Sequence, residues 1–359
     1  MDMSTLHELV YYCRMKKPTG ALMLTGEWGC GKTYLVNNDL KEELKDSHII
    51  VRVSLFGIGS LQALHTAVKK KWLYSCTHFI SKVKEKEKSQ DLHIDPKDII
   101  DAAANVVRLL NPAARNITKS VIAIDPLDYI PIEPEVNDPV SGERKTVVLV
   151  FDDLDRSRLD PVELLGCING YFENQHFRTI VIANEENLID FDRDELFSYR
   201  MMKEKIISHT VLNCPDYPSI IHRIITEGDW ENEKYGKYLE DHEKGILETF
   251  VSESPEMENA DGKYHNLRDL TLAMQNFYRI FYHMGEADTD DVDQYFYSFL
   301  SYMLASRSGI LKDGERTFTF TDDDIDSIYP LFAPDKLPDS IRKWIDYGVW
   351  DEDKFLQEI

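Results

Sequence analysis

The string Gly26-Glu27-Trp28-Gly29-Cys30-Gly31-Lys32-Thr33 places three glycines, a lysine and a hydroxyl in the spacing GxxxxGK[ST]. That combination suits one chemical task, the holding of a chain of phosphates. Glycines let the backbone turn so that successive N–H groups point at an anion, and a helix starting behind them adds the positive end of its dipole. Lys32 supplies a mobile cation for the outer phosphates, and Thr33 offers a hydroxyl to Mg²⁺. Glu27, Trp28, Cys30 and Tyr34 complete the stretch expected to line a bound nucleotide. Trp28 can pack beside the loop or stack on a base, and Cys30 reads as a small residue fitting a tight turn.

A second pattern lies downstream, where the apolar run from Val147 ends in Asp152, Asp153, Leu154, Asp155 and Arg156. A carboxylate closing a buried strand is the usual partner of such a loop. Asp152 would hold the Mg²⁺ shell, and Asp153 would orient or deprotonate an attacking water, with Asp155 as its rival. Alternation along a strand predicts that Asp152 and Asp153 point to opposite sides. Asn184 ends another apolar run, Thr179–Ala183, where it could hydrogen-bond the terminal phosphate or the water. Arg268 could reach the nucleotide from a helix expected over 266–282; an ordinary surface arginine fits it nearly as well.

The elements that must position these groups alternate in type. A short helix is expected over 4–15, then a strand over Ala21–Thr25, the glycine loop, and a helix opening at Lys32. Strands follow at Ile49–Leu55, Thr146–Asp152, Thr179–Asn184 and His209–Leu212, with helices near 160–172 and 197–205. Strand alternating with helix is the signature of a parallel α/β sheet. Residues 58–146 read as an insertion. It contains a helix or two from Leu61 to about Val83, a charged surface or linker at 82–90, a helix candidate at 98–110 and a proline-rich extended stretch. Beyond Pro215 helical periods dominate, at 219–226, 238–251, 266–282, 292–305 and 340–347, and Thr321 with Asp324 forms a capping box. Residues 1–215 are therefore read as the core and 216–359 as an acidic, mostly α-helical lid or C-terminal domain.

Charge and cysteine usage exclude several classes. The net charge of −23 is concentrated in 216–359, where 14 basic and 32 acidic residues leave −18. Such a surface repels phosphate backbones, so nucleic-acid binding is not expected. Five scattered cysteines without a CxxC pair suit reduced thiols rather than disulfides or zinc. No signal peptide and no run of 18 apolar residues is present, so the reading is a cytoplasmic chain without a membrane span.

Taken in order, GEWGCGKTYL (26–35), VSLFG (53–57), VLVFDDLDR (148–156) and NLRDL (266–270) resemble the KAP family of P-loop NTPases, within the STAND and AAA+-like division. IVIANEENL (180–188) and EKII (204–207) look like its later core, and the resemblance spans about residues 5 to 285. It implies an additional-strand (ASCE) core with strand order 5-1-4-3-2 and a helical lid. It also implies ATP with Mg²⁺ as ligand, Lys32 and Thr33 on phosphate and metal, Asp152 and Asp153 on metal and water, Asn184 as sensor and Arg268 as lid arginine. Many relatives carry transmembrane helices between the two motifs. Here Arg108, Arg115, Lys119 and a proline cluster break the 118 intervening residues, so a soluble member is expected.

Family members are often molecular switches, and prokaryotic ones are frequently linked to conflict with phage and mobile elements. The expected activity is slow, Mg²⁺-dependent ATP hydrolysis that switches state. The alternatives are a nucleotide-dependent oligomerisation module with negligible turnover and, further off, a small-molecule kinase. No nuclease, protease or Toll-like string is present; if residue 359 is the true terminus, the effector is either another protein or absent, and the expected partner is a second copy of the chain or an effector protein.

Overall fold

Every residue of the run Val147–Asp152 is buried, which a strand can sustain only inside a sheet covered on both faces. The computed structural model describes residues 3–76, 131–138, 140–189, 193–251, 265–287, 291–312 and 315–359. The expected helix at 98–110, the segment 82–90 and the residues Arg108, Arg115 and Lys119 lie outside them.

The sheet contains β1 (Ala21–Thr25), β2 (His48–Ser54), β3 (Glu135–Asn137), β4 (Arg144–Asp152), β5 (Arg178–Ala183) and β6 (Ile207–Leu212). Its order is β2-β4-β5-β1-β6, all parallel, with β3 added antiparallel to the start of β4. Counting the five parallel strands alone, this is the order 5-1-4-3-2 that the resemblance implies.

One face of the sheet packs Val51, Val53, Val147, Leu149 and Phe151 against helices α3 (Leu61–Cys76) and α4 (Pro161–Glu173). Val148, Val150, Ile180 and Ile182 alternate with them and are equally buried on the other face. Helix α4 starts where Asp160 caps it, accepting from the N–H groups of Val162 at 2.6 Å and Glu163 at 3.2 Å, with Pro161 in the first position. Among the described residues this unit also contains helices α1 (Met3–Arg14), α2 (residues 32–44), α5 (Glu186–Ile189) and α6 (Arg193–Ile206). Helix α2 is π-helical over Leu35–Leu40, a widening that no residue pattern announces.

The chain divides into two compact units. One comprises Met3–Gly26 with Lys32–Asn213, and the other Glu27–Gly31 with Cys214–Ile359. The second unit has its own core, built by α7 (Tyr217–Glu227), α8 (Glu233–Asp241), α9 (Glu243–Val251), α10 (Leu267–Ala287) and α11 (Val292–Ser308). Departures from the sequence reading occur there. The single helix expected over 238–251 is two, because His242 leaves helical geometry (φ −105°, ψ 7°) and its Nδ1 lies 2.7 Å from the Tyr238 carbonyl. A hairpin of β7 (Ile310–Lys312) and β8 (Glu315–Thr317) also interrupts the helices; strands of three residues are too short for alternation to show. The capping box at α12 (Asp322–Asp326) is present, with Thr321 and Asp324 bonded reciprocally. The small helices α13 (Asp339–Tyr347) and α14 (Glu352–Glu358) follow.

Tyr12 of α1 ties β5 to the residue that precedes β1. Its buried hydroxyl lies 2.9 Å from the Thr179 carbonyl and 3.1 Å from the Gly20 carbonyl, and accepts from the Thr179 N–H at 3.2 Å. Burial raises its pKa well above the ordinary phenolic value, so it acts as a neutral donor and acceptor. Tyr12→Phe is expected to cost about 1–3 kcal/mol by leaving buried backbone groups unpaired. Urea unfolding measures the loss, and an unchanged midpoint would show that the hydroxyl contributes nothing.

Candidate nucleotide-binding site

Strand register decides which residues meet at the sheet's C-terminal edge. Thr25 lies opposite Ala183, and Ser54 opposite Asp152. The ends of β1, β2, β4 and β5 therefore deliver Thr25, Ser54, Asp152 and Asn184 to neighbouring positions, the edge at which open α/β sheets bind ligands. After Thr25 the chain passes Gly26 (φ 149°) and reaches the start of α2 through Gly31 (φ 90°), both in backbone geometry that favours glycine. Lys32 is buried and folds back over its own loop, Nζ donating to the Gly26 carbonyl at 2.6 Å.

Asp152 is the centre of the arrangement, with 2% of its surface exposed. The Thr33 hydroxyl donates to its Oδ2 at 2.8 Å, and Arg52 Nη1 donates to the same oxygen at 2.7 Å. The Asp153 N–H donates to Oδ1 at 2.9 Å. Burial, and after it the charge of Asp153, push the Asp152 carboxyl above its ordinary pKa, against the opposing pull of Thr33 and Arg52. A hydroxyl and a carboxylate one hydrogen bond apart form a hard oxygen pair of the kind Mg²⁺ takes together with phosphate oxygens and water. The guanidinium on Oδ2 shows that this oxygen already receives a cation. Among the described residues no cluster of three or more His, Cys, Asp or Glu side chains suits a metal held by protein alone.

The expected opposition of Asp152 and Asp153 is not found. The strand ends at Asp152, and Asp153 takes a left-handed backbone (φ 62°, ψ 39°), so the alternation rule stops one residue early. Ser54 donates to Asp153 Oδ2 at 2.7 Å. Arg52 and Ser54 are two apart on β2 and share one of its faces, so that single face serves both acids. Asp155 Oδ1 accepts the Asn184 N–H at 2.9 Å and so anchors the end of β5. Asn184 itself is buried. Beside it, the Glu185 N–H donates to Thr25 Oγ1 at 3.3 Å, while its carboxylate receives Lys203 Nζ at 2.5 and 2.7 Å.

Local pattern gives Arg52 and Thr25 no role, and Ser54 and Glu185 fall only within family-like strings. Arg52 carried a readable signal, a lone charge between Val51 and Val53 in an apolar strand. The others became visible only through register.

In the second unit, the Leu267 N–H donates to the Gly29 carbonyl at 3.0 Å. A Cβ on Gly29 (φ 78°) would stand 2.0 Å from Asn266 Oδ1 and 2.8 Å from its Cα. Asn266 caps α10, accepting from the N–H groups of Arg268 at 3.0 Å and Asp269 at 3.4 Å. Residues Glu27–Gly31 accordingly cluster with Cys214–Ile359 and not with the sheet, unlike a division placed wholly at residue 215. Cys30 is buried, Trp28 half-buried, and Glu27, Tyr34 and Arg268 are exposed.

Among the described residues no helix is long and apolar enough to cross a membrane. No curated protein matches the chain significantly. Among solved structures, Cdc6p from Pyrobaculum aerophilum is 12% identical with a TM-score of 0.41, the match covering 84% of this chain and 66% of that one. Domain III of the replication initiation protein DnaA from Thermotoga maritima is 14% identical (TM-score 0.36; 83% and 90% covered). The Orc1 protein of Aeropyrum pernix, in complex with DNA, is 14% identical (TM-score 0.32; 90% and 74% covered). Likenesses this distant carry no weight for function. The KAP family P-loop domain, in contrast, matches residues 3–285. With that match over most of its length, and with the loop, the buried acid and the strand order all in place, the chain belongs to the KAP family of P-loop NTPases.

Proposed function

We propose that the protein binds ATP with Mg²⁺ at Gly26–Thr33 and hydrolyses it slowly as a switch of the STAND kind. The observation that carries this reading is the hydrogen bond of Thr33 to Asp152, which joins the loop to the buried acid at the sheet edge. In this reading the glycine-loop backbone and Lys32 hold the phosphates, and Thr33 with Asp152 holds the Mg²⁺ shell. Mg²⁺ would neutralise charge on the terminal phosphates. Asp153 orients the attacking water, Asn184 senses the terminal phosphate, and Arg268 keeps the lid-arginine role that the family resemblance implies. Asp155 becomes the weaker candidate for the base, because its carboxylate already holds the Asn184 N–H.

One observation favours the second reading, a nucleotide-dependent assembly module with negligible turnover. Both acids that would serve a water are engaged, Asp153 by Ser54 and Asp155 by the β5 end. A slow hydrolase accommodates the same fact, since Ser54 need only release Asp153. The partner is then a second copy of the chain or an effector protein in the cytoplasm. Conflict with phage or mobile elements is the setting we assign to it; infection of strains carrying wild type or Lys32→Ala tests that assignment.

Phosphate release by the purified chain tests the catalytic reading. Lys32→Ala should weaken ATP binding by about 10–100-fold, the value of a charge-assisted contact of roughly 1.5–3 kcal/mol. Asp153→Asn should retain ATP and lose roughly 10²–10⁴-fold in turnover, the usual contribution of a general base. Undiminished release by both variants would overturn the assignment. Mass photometry with ATP, with ADP and without nucleotide reads the switch. A change of assembly state with ATP is expected, and a single mass under all three conditions would contradict it.

A further inference from the structure

Arg52 is a charged residue in direct contact with Asp152 to which the family pattern assigns no task. It lies between two buried valines on β2, and its Nη1 sits 2.7 Å from Asp152 Oδ2, the oxygen that also accepts from Thr33. Two donors on one carboxylate oxygen occupy both of its lone pairs, and the Asp153 N–H takes one on the other oxygen. A divalent cation, or a water in its shell, therefore meets a carboxylate with little accepting capacity left and a positive charge already seated.

We propose that Arg52 is a resident counter-cation that competes with divalent metal for Asp152, so that metal binds weakly until a polyphosphate offers the guanidinium another acceptor. The inference rests on Asp152 as the metal-shell carboxylate. Three features support it. Asp152 is almost fully buried beside a second carboxylate, and such a charge needs compensation when no metal is present. Arg52 keeps 33% of its side-chain surface exposed, so its head can leave Asp152 without disturbing the core. Its planar fork of donors matches phosphate oxygens as well as it matches a carboxylate. Thr33, in contrast, can keep donating to Asp152 while its own lone pairs remain available to a metal. Arg52 is thus the group that yields.

The consequence is a reciprocal coupling: metal tightens polyphosphate binding, and polyphosphate tightens metal binding by the same factor. The test uses Mn²⁺ as the metal, with free ion counted by electron paramagnetic resonance, on the full chain with and without a non-hydrolysable ATP analogue. Wild type should bind Mn²⁺ weakly alone and more tightly with the analogue. Arg52→Gln should bind Mn²⁺ about ten-fold more tightly than wild type without nucleotide and gain less from the analogue, within the usual range of such couplings. Adding Asp152→Asn to Arg52→Gln should abolish the gain. Arg52→Lys keeps the charge but loses the fork, and should show a smaller gain than Arg52→Gln. If Arg52→Gln does not fold, the lysine variant reads the same competition.

Nucleotide-free Mn²⁺ binding that is no tighter than wild type in a folded Arg52 variant overturns the proposal. Failure of wild type to bind the ATP analogue would instead sink the function proposed above, while the nucleotide-free Mn²⁺ comparison still decides the role of Arg52.

Discussion

The structure of the site depends on one buried charge. Asp152 lies at the end of a strand covered on both faces, where a carboxylate is costly unless donors surround it. Thr33 from the glycine-loop helix, Arg52 from β2 and the backbone of Asp153 supply them. These three contacts bring the loop, the neighbouring strand and the following turn to a single carboxylate. Around it, the order of the parallel strands places β1 and β4 on either side of β5. The chain reaches the phosphate-binding loop and the acidic strand end from separate directions, and Asp152 joins them.

A single backbone conformation then decides what the second acid faces. A non-glycine residue at φ 62° is uncommon, and aspartate is among the residues that tolerate it. Had β4 continued for one more residue, Asp153 would have turned to the opposite face of the sheet. Ending the strand at Asp152 lets Arg52 and Ser54 address both acids from one face of β2. Two residues later, Asp155 fastens the end of β5. The acidic run is thus divided by geometry into a buried carboxylate ringed by three donors, a carboxylate held by a serine, and a structural anchor.

Gly29 answers to two demands. Its left-handed φ suits a loop that curls its N–H groups inward, and its missing side chain lets Asn266 approach within a distance that any Cβ would block. The carbonyl of the same residue accepts the Leu267 N–H at the start of α10. The NLRDL string therefore has a physical reason apart from Arg268. Its asparagine caps the helix, and the first turn is bonded to the loop backbone.

Much of this was legible in the residues alone. The glycine loop, the apolar runs of β1, β4 and β5, the acid at the end of β4, the helical periods beyond residue 215 and the cap at Thr321 all follow from local rules of spacing and period. Those rules act within a few residues, so one sequence contains them. The pairing of Arg52 with Asp152, of Ser54 with Asp153, of Asp155 with Asn184 and of Asn266 with Gly29 was not legible. Each joins segments far apart in the chain, and strand register or helix placement alone sets the distance. The break at His242, the π segment of α2 and the left-handed turn at Asp153 escaped for a related reason: in each, packing selects a backbone state that propensity leaves open. The sequence by itself marked the residues on which the phosphate and metal reading rests. Only the tertiary structure decided that the buried carboxylate of Asp152 is shared with an arginine, because a buried charge takes whichever donor the neighbouring strand brings within reach.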